Sequence, residues 1–193
     1  HIWGYSDLTV LQLYFFSRFG WPYIQGPMLG SESFVKPDAL EEKTFEMISQ
    51  NGVFPGEAEL HTLDGTSVTL KKQQSLLLLG GNLMSIVSLL GTPWEPTPKQ
   101  NYILMLEDIE EPSYKLDRLL QQLRHSEFFK NCSAILLGHF TKCPGYKEIF
   151  AEFSKQNEIP VYEGIKMGHE APRIPFVMGQ KFELVPHGKK LKF

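Results

Sequence analysis

Three stretches of this sequence end in polar side chains at places where chemistry can be done. The apolar run Tyr102–Leu106 passes straight into Glu107-Asp108. Leu76–Leu79 passes into Gly80-Gly81-Asn82, and the extended segment Pro160–Tyr162 leads on to Gly168-His169-Glu170. In α/β sheets, functional groups gather just past the carboxyl ends of strands. A carboxylate such as Glu107 can orient an imidazole such as His169, fix its tautomer and stabilise the imidazolium formed when it takes a proton. A glycine pair at a strand-to-helix turn lets backbone amides approach a ligand closely, which makes Gly80, Gly81 and Asn82 candidates for substrate binding. Spacing alone leaves plainer readings open: Glu107 can cap the next helix, and His169 can be a surface histidine.

Other reactive side chains carry less. Ser6, in Gly4-Tyr5-Ser6-Asp7, superficially has the form of a nucleophile elbow, but Leu8 stands where the second glycine belongs. We read it as structural. His139 and Cys143 have the spacing of two metal ligands on a helix, yet Pro144-Gly145 oppose a regular helix there and no further ligands present themselves. Neither a metal nor a cofactor is therefore expected. Asp108, Glu110 and Glu111 read as negative charge at the N-terminus of the helix around Tyr114. Asp117 and Arg118 can pair with neighbours on or beside that helix and read as structural. Trp94 can line a cleft or pack as an aromatic.

The elements that must position these groups alternate between strand and helix. Ile2-Trp3-Gly4-Tyr5 looks like the end of a strand, Leu8–Phe19 like a helix capped by Ser6 or Asp7, and Trp21–Ile24 like a short strand. Residues 27–38 form a linker or active-site loop. Asp38 then caps a helix through Gln50, with Glu41 three residues on. Glu57–Leu63 and Thr66–Lys72 flank Asp64-Gly65 and predict a β-hairpin. Beyond it the pattern gives a strand at Leu76–Leu79, a helix from Asn82 through Leu90, a strand at Tyr102–Leu106 and a helix at Tyr114–Arg124. A strand at Ser133–Leu137, a helix at Tyr146–Gln156, a strand at Pro160–Tyr162 and a closing hairpin, Phe182–Val185 with Lys190–Phe193, complete it. Strands alternating with helices at these spacings imply an α/β fold with a mixed, mostly parallel sheet and flanking helices.

The bulk properties exclude several classes. With 193 residues, 42% hydrophobic and 21% charged, the chain has the composition of a soluble globular protein. A net charge of −3 with both signs interspersed leaves no basic stripe for nucleic acid or an anionic membrane. Apolar runs such as Leu76–Leu79 are far short of a membrane span. Two cysteines, Cys132 and Cys143, are too few for a disulfide framework, and with no signal-peptide pattern a reducing cytoplasm is the expected location. The chain starts at His1 on what reads as a strand end, so it is expected to be a portion of a longer protein.

Taken in order, several segments resemble the LD-carboxypeptidase family, serine peptidases that include the murein tetrapeptide carboxypeptidases and the microcin-C immunity peptidases. They are Gly4-Tyr5-Ser6-Asp7 with Thr9, Gly26-Pro27, Gly80-Gly81-Asn82-Leu83, and Leu90-Gly91-Thr92-Pro93. Ile103–Asp108, Tyr114 to Asp117-Arg118, Leu137-Gly138 to Phe140, Gly168-His169, and Pro175 with Gly179 continue the series over essentially the whole chain. The resemblance implies a Ser–His–Glu triad in which Glu107 is the orienting acid and His169 the general base. The family's serine lies in a Gly-rich turn upstream of the Gly-Tyr-Ser-Asp strand, a turn not found in these 193 residues. The implied reaction is hydrolysis of an L,D-amide bond near a peptide carboxyl end, releasing D-alanine from a murein tetrapeptide, by a homodimer. Three regions are expected: 1–30 as the end of an α/β nucleophile-bearing domain, 31–44 as a linker, and 45–193 as the C-terminal domain. Two rivals remain, a non-catalytic peptide-binding module on the same scaffold and an amidase whose nucleophile comes from another chain.

Overall fold

In the computed structural model, which describes residues 2–51, 57–63, 68–185 and 190–192, the chain opens with strand β1 (Trp3–Gly4), helix α1 (Leu8–Phe19) and strand β2 (Tyr23–Gln25). β1 and β2 pair in parallel, as the strand–helix–strand rhythm predicts. Gly20 ends α1 in the left-handed conformation, where its amide donates to the Phe16 carbonyl. A short helix, α2 (Glu32–Val35), and then α3 (Ala39–Asn51) occupy the stretch read as a linker and its following helix. The start of α3 is a capping box. Asp38 Oδ1 accepts from the amides of Leu40 and Glu41, and Glu41 Oε2 accepts from the amide of Asp38.

The next segment departs from expectation. Glu57–Leu63 does not fold back on Thr66–Lys72. It forms two short strands, β3 (Glu57–Glu59) and β4 (His61–Thr62), that lie at opposite edges of one sheet. Residues 64–67, including the turn of the expected hairpin, lie outside the described residues, and 68–72 carry no strand. The alternation over residues 57–63 does mark extended chain. The partners differ because β3 and β4 pair with strands brought up from the far end of the sequence.

Strand β5 (Gln74–Asn82), helix α4 (Leu83–Leu89), strand β6 (Tyr102–Ile109), helix α5 (Ser113–Arg124) and a single 3-10 turn (Phe128–Asn131) follow. Strand β7 (Cys132–Thr141), helix α6 (Tyr146–Asn157) and strand β8 (Val161–Glu163) complete the repeating part. β5, β6, β7 and β8 lie side by side and parallel. Their interiors are buried along their length, as continuous apolar runs in a covered parallel sheet must be. Each crossover steps to the next strand in one direction, and connections that share one hand, as the right-handed rule requires, put their helices on one face of the sheet. α4 packs on β5 and β6, with α1 and α5 beside it and α6 next to α5. In α5 the buried residues are Leu116, Leu119, Leu120 and Leu123, the stripe expected of an amphipathic helix. Each contributes roughly 1.5–3 kcal/mol by leaving water.

The last strands close both sheets. β9 (Phe176–Met178), unpredicted, pairs antiparallel with β2, and β10 (Lys181–Leu184) pairs antiparallel with β5 and with β11 (Lys190–Lys192). The resulting orders are β1-β2-β9 and β3-β11-β10-β5-β6-β7-β8-β4, a mixed α/β architecture. No helix among the described residues is long and apolar enough to cross a membrane.

Buried polar groups tie α1 to the first sheet and the first sheet to the second. Gln12 donates through Nε2 to the carbonyls of Gly4 and Ile24, and Gln25 donates to Gln12 Oε1 and Thr9 Oγ1. Tyr23 inserts its hydroxyl at Gly80, donating to the carbonyl and accepting from the amide, both at 3.0 Å. It satisfies β5 just beyond the last residues that pair with β10. Burial pushes the Tyr23 phenol well above its usual range, so it remains a protonated donor.

Candidate active site

The site begins with the alternation of β6. Successive side chains at its carboxyl end point to opposite faces, so Glu107 and Asp108 serve different neighbours. Asp108, 2% exposed, accepts from Asn82 Nδ2 and the amide of Met84, which holds it against the start of α4. It also accepts from its neighbour Ile109 N, while burial pushes its carboxyl upward. Asn82 in turn caps α4, its Oδ1 accepting from Ser85 N at 3.0 Å. Of Glu110 and Glu111, grouped with Asp108 on sequence, the first turns outward to an ion pair with Lys142 and the second is buried and paired with Lys115.

Glu107 faces the other way and is fully buried. Opposite it the register of β7 slips. Leu106 pairs with Leu137 and Asp108 with Phe140, so Gly138 and His139 together face the one residue Glu107. This bulge admits the chain that follows β8. The amide of His139 donates to the Met167 carbonyl at 2.7 Å, and a Cβ on Gly138 would lie 2.5 Å from the same oxygen. Gly168 passes just as closely. With φ at +128°, its hydrogen occupies space where a Cβ would stand 3.0 Å from Glu107 Oε2 and 3.1 Å from His139 Cβ.

His169 is delivered by this docking. Its Nδ1 lies 2.8 Å from Glu107 Oε2, across 62 residues of sequence. An ionised carboxylate can only accept, so such a bond to Glu107 takes its proton from Nδ1 and leaves the lone pair of a neutral ring on Nε2. The imidazole is 15% exposed while its partner carboxylate is sealed. Tyr5 presents its ring edgewise to the imidazole, centroids 4.8 Å apart. One imidazole nitrogen of His169 is thus anchored on a buried acid, an arrangement that would allow the other to take and return a proton.

Burial holds the nearby His139 imidazole below its ordinary pKa, against the opposing pull of Glu170 and Glu107. Among the described residues no hydrogen bond joins Ser6 to His169. Ser6 sits at φ +59°, its carbonyl accepting from Thr9 at the start of α1. Gly80 and Gly81 are inside the protein. A Cβ on Gly80 would meet the Met105 carbonyl at 1.8 Å, and one on Gly81 would meet Gln25 Nε2 and Thr9 Oγ1 at 2.5 Å. Both glycines therefore allow close packing of β5 on β6 and on the first sheet. Arg118 lies over the Tyr114 ring, 5.3 Å from its centroid. Trp94 is exposed beside an open cleft of about 410 Å³ shared with Tyr14 and Arg18. That cleft follows α4 and precedes β6, at the opposite end of the sheet from Glu107. Sequence reasoning passed over Tyr5, Arg173 and the Gly138-His139 bulge. The bulge had one usable signal, a glycine at the end of a buried strand.

The chain is similar to known proteins along nearly its whole length. A family model describing the LD-carboxypeptidase C-terminal domain matches residues 77–184. The murein tetrapeptide carboxypeptidase of Pseudomonas aeruginosa is 32% identical over 98% of this chain and 64% of its own length. The microcin C7 self-immunity protein MccF of Escherichia coli is 25% identical over 94% of this chain and 61% of its own. The crystal structure of muramoyltetrapeptide carboxypeptidase from Oxalobacter formigenes aligns with a TM-score of 0.78 at 27% identity, over 98% of this chain and 66% of that one. The chain thus spans less than two thirds of the length of these relatives. A family model matched over more than half of the residues makes this chain a member of the LD-carboxypeptidase family.

Proposed function

We propose that the protein to which this chain belongs hydrolyses the amide between an L- and a D-amino acid near a peptide carboxyl end, with murein tetrapeptide as substrate and D-alanine as product. The observation that carries the proposal is the 2.8 Å bond from His169 Nδ1 to Glu107 Oε2, made where solvent does not reach the carboxylate. His169 Nε2 takes the proton of a serine hydroxyl as that oxygen attacks the scissile carbonyl and returns it to D-alanine's leaving amine as the C–N bond breaks. Water, deprotonated by the same nitrogen, then cleaves the acyl-serine ester, and the proton restores the serine hydroxyl. Glu107 keeps the ring in orientation and balances the imidazolium charge. The serine comes from chain preceding residue 1, in the region to which residues 1–30 form the end. Residues 31–44 lead to the C-terminal domain, 45–193. A cytoplasmic homodimer goes with this reading. Gly80, Gly81 and Asn82 act as the frame that sets β5 and α4 beside the site.

The test is release of D-alanine from the murein tetrapeptide by the full-length protein. His169→Ala and Glu107→Ala are each expected to cut kcat by about 10³-fold or more with the fold retained. The 193 residues alone are expected to release none. Turnover at the parent rate by either variant would refute the pair. Peptide binding without turnover in the full-length protein would favour a binding module.

A further inference from the structure

The loop bearing His169 is held by a second acid on a distant element. Glu41 lies in the first turn of α3 and is 2% exposed. A capping box asks only that this glutamate reach back to the N-cap amide with one oxygen, and it is ordinarily solvated. Here Oε2 does so, at 2.9 Å from Asp38 N, while Oε1 accepts from the backbone amide of Arg173 at 2.6 Å, across 132 residues. Arg173 then folds its side chain back along its own loop, and Nη2 donates to the carbonyl of His169 at 2.6 Å. The neck of the loop is closed by Ile174 N donating to the Lys166 carbonyl at 2.8 Å. A buried carboxylate is retained where its bonds are made by groups that stay in place.

We propose that Glu41 and Arg173 are positioning residues that clamp the His169 loop to α3 and so set the imidazole on Glu107. The bonds they make go to the loop backbone. Glu41 fixes where the loop backbone stands, and Arg173 fixes the peptide plane at His169 through its carbonyl. The stretch between the two regions of the chain is then part of the catalytic support. The inference rests on the reading of His169 as general base.

Two readouts in the full-length protein test it: steady-state hydrolysis of the tetrapeptide, and the NMR signal of the His169 Nδ1 proton bonded to Glu107. Glu41→Gln keeps the shape but offers an N–H group to one of the two amides. Arg173→Met removes the guanidinium and leaves the backbone amide on Glu41. Each is expected to lower kcat by about 10–100-fold with KM within about threefold, the scale on which misplacing a catalytic group acts. The Nδ1 proton signal should shift and broaden while the circular dichroism spectrum is unchanged. Should Glu41→Gln fail to fold, Arg173→Met decides, because both bonds to Glu41 survive in it. Folded variants with kcat within twofold of the parent and an unmoved Nδ1 proton would overturn the clamp. If His169→Ala proves harmless to turnover, the assigned reaction falls, and the Nδ1 proton in Arg173→Met still judges the clamp.

Discussion

Gly168→Ala puts the geometry of the site to a quantitative test. The backbone at φ +128° is a conformation held almost only by glycine, and an alanine there carries roughly 1–3 kcal/mol of strain. The new methyl would also stand 3.0 Å from Glu107 Oε2, 3.1 Å from His139 Cβ and 3.2 Å from Glu107 Cβ. Glu107 is fully buried on β6, so the carboxylate cannot swing into solvent, and crowding of this kind costs about 1–3 kcal/mol more. A total of about 3 kcal/mol lowers Tm by about 6–12 °C for a chain of this size. Gly91→Ala supplies the control, since Gly91 has φ +74° with nothing within 4 Å of the added carbon. It pays only the left-handed penalty, about 1–2 kcal/mol. Urea denaturation of both variants and the parent gives the comparison. Gly168→Ala should be less stable than Gly91→Ala by about 1 kcal/mol or more, and its His169–Glu107 bond should be displaced. Equal losses would show that the crowding at Glu107 is not real and would undercut the account of how His169 is delivered.

Tyr23→Phe strands both the amide and the carbonyl of Gly80 inside the protein. It should cost about 2 kcal/mol, a fall of about 4–8 °C in Tm, and an unchanged melting temperature would contradict the role given to the hydroxyl. His139 yields a pH dependence. Because burial depresses its folded pKa below the ordinary 6.5, the unfolded chain binds the proton first, and stability drains as pH falls from about 6.5 toward the folded value. His139→Gln removes that slope, so the stability difference should move in favour of the variant between pH 7 and pH 5. A difference constant with pH would refute the assignment.

Much of this fold is legible locally. The leucine spacing of α5, the capping box of Asp38 and Glu41, and the apolar runs of β5, β6 and β7 each state their element within a few residues. These are short-range consequences of periodicity and of hydrogen-bonding side chains placed beside the backbone they satisfy. The ordered series of motifs also named Glu107 and His169 together, before any contact between them was visible. The hairpin expected over residues 57–72 shows the limit. Alternation marks extended chain but does not name its partner, and β3 and β4 found theirs in β11 and β8. β9 escaped notice because three residues hold too little pattern to register.

What the sequence determined alone was therefore most of the elements, their mostly parallel arrangement and the two candidates Glu107 and His169. Tertiary structure alone decided how those two residues meet, because contacts across 62 and 132 residues depend on the path of the whole chain. The bulge at Gly138-His139 and the missing side chain at Gly168 let the last loop close on β6, and Glu41 and Arg173 hold it there. No local propensity encodes that closure. It exists only where two sheet ends, one helix start and one loop are packed against each other.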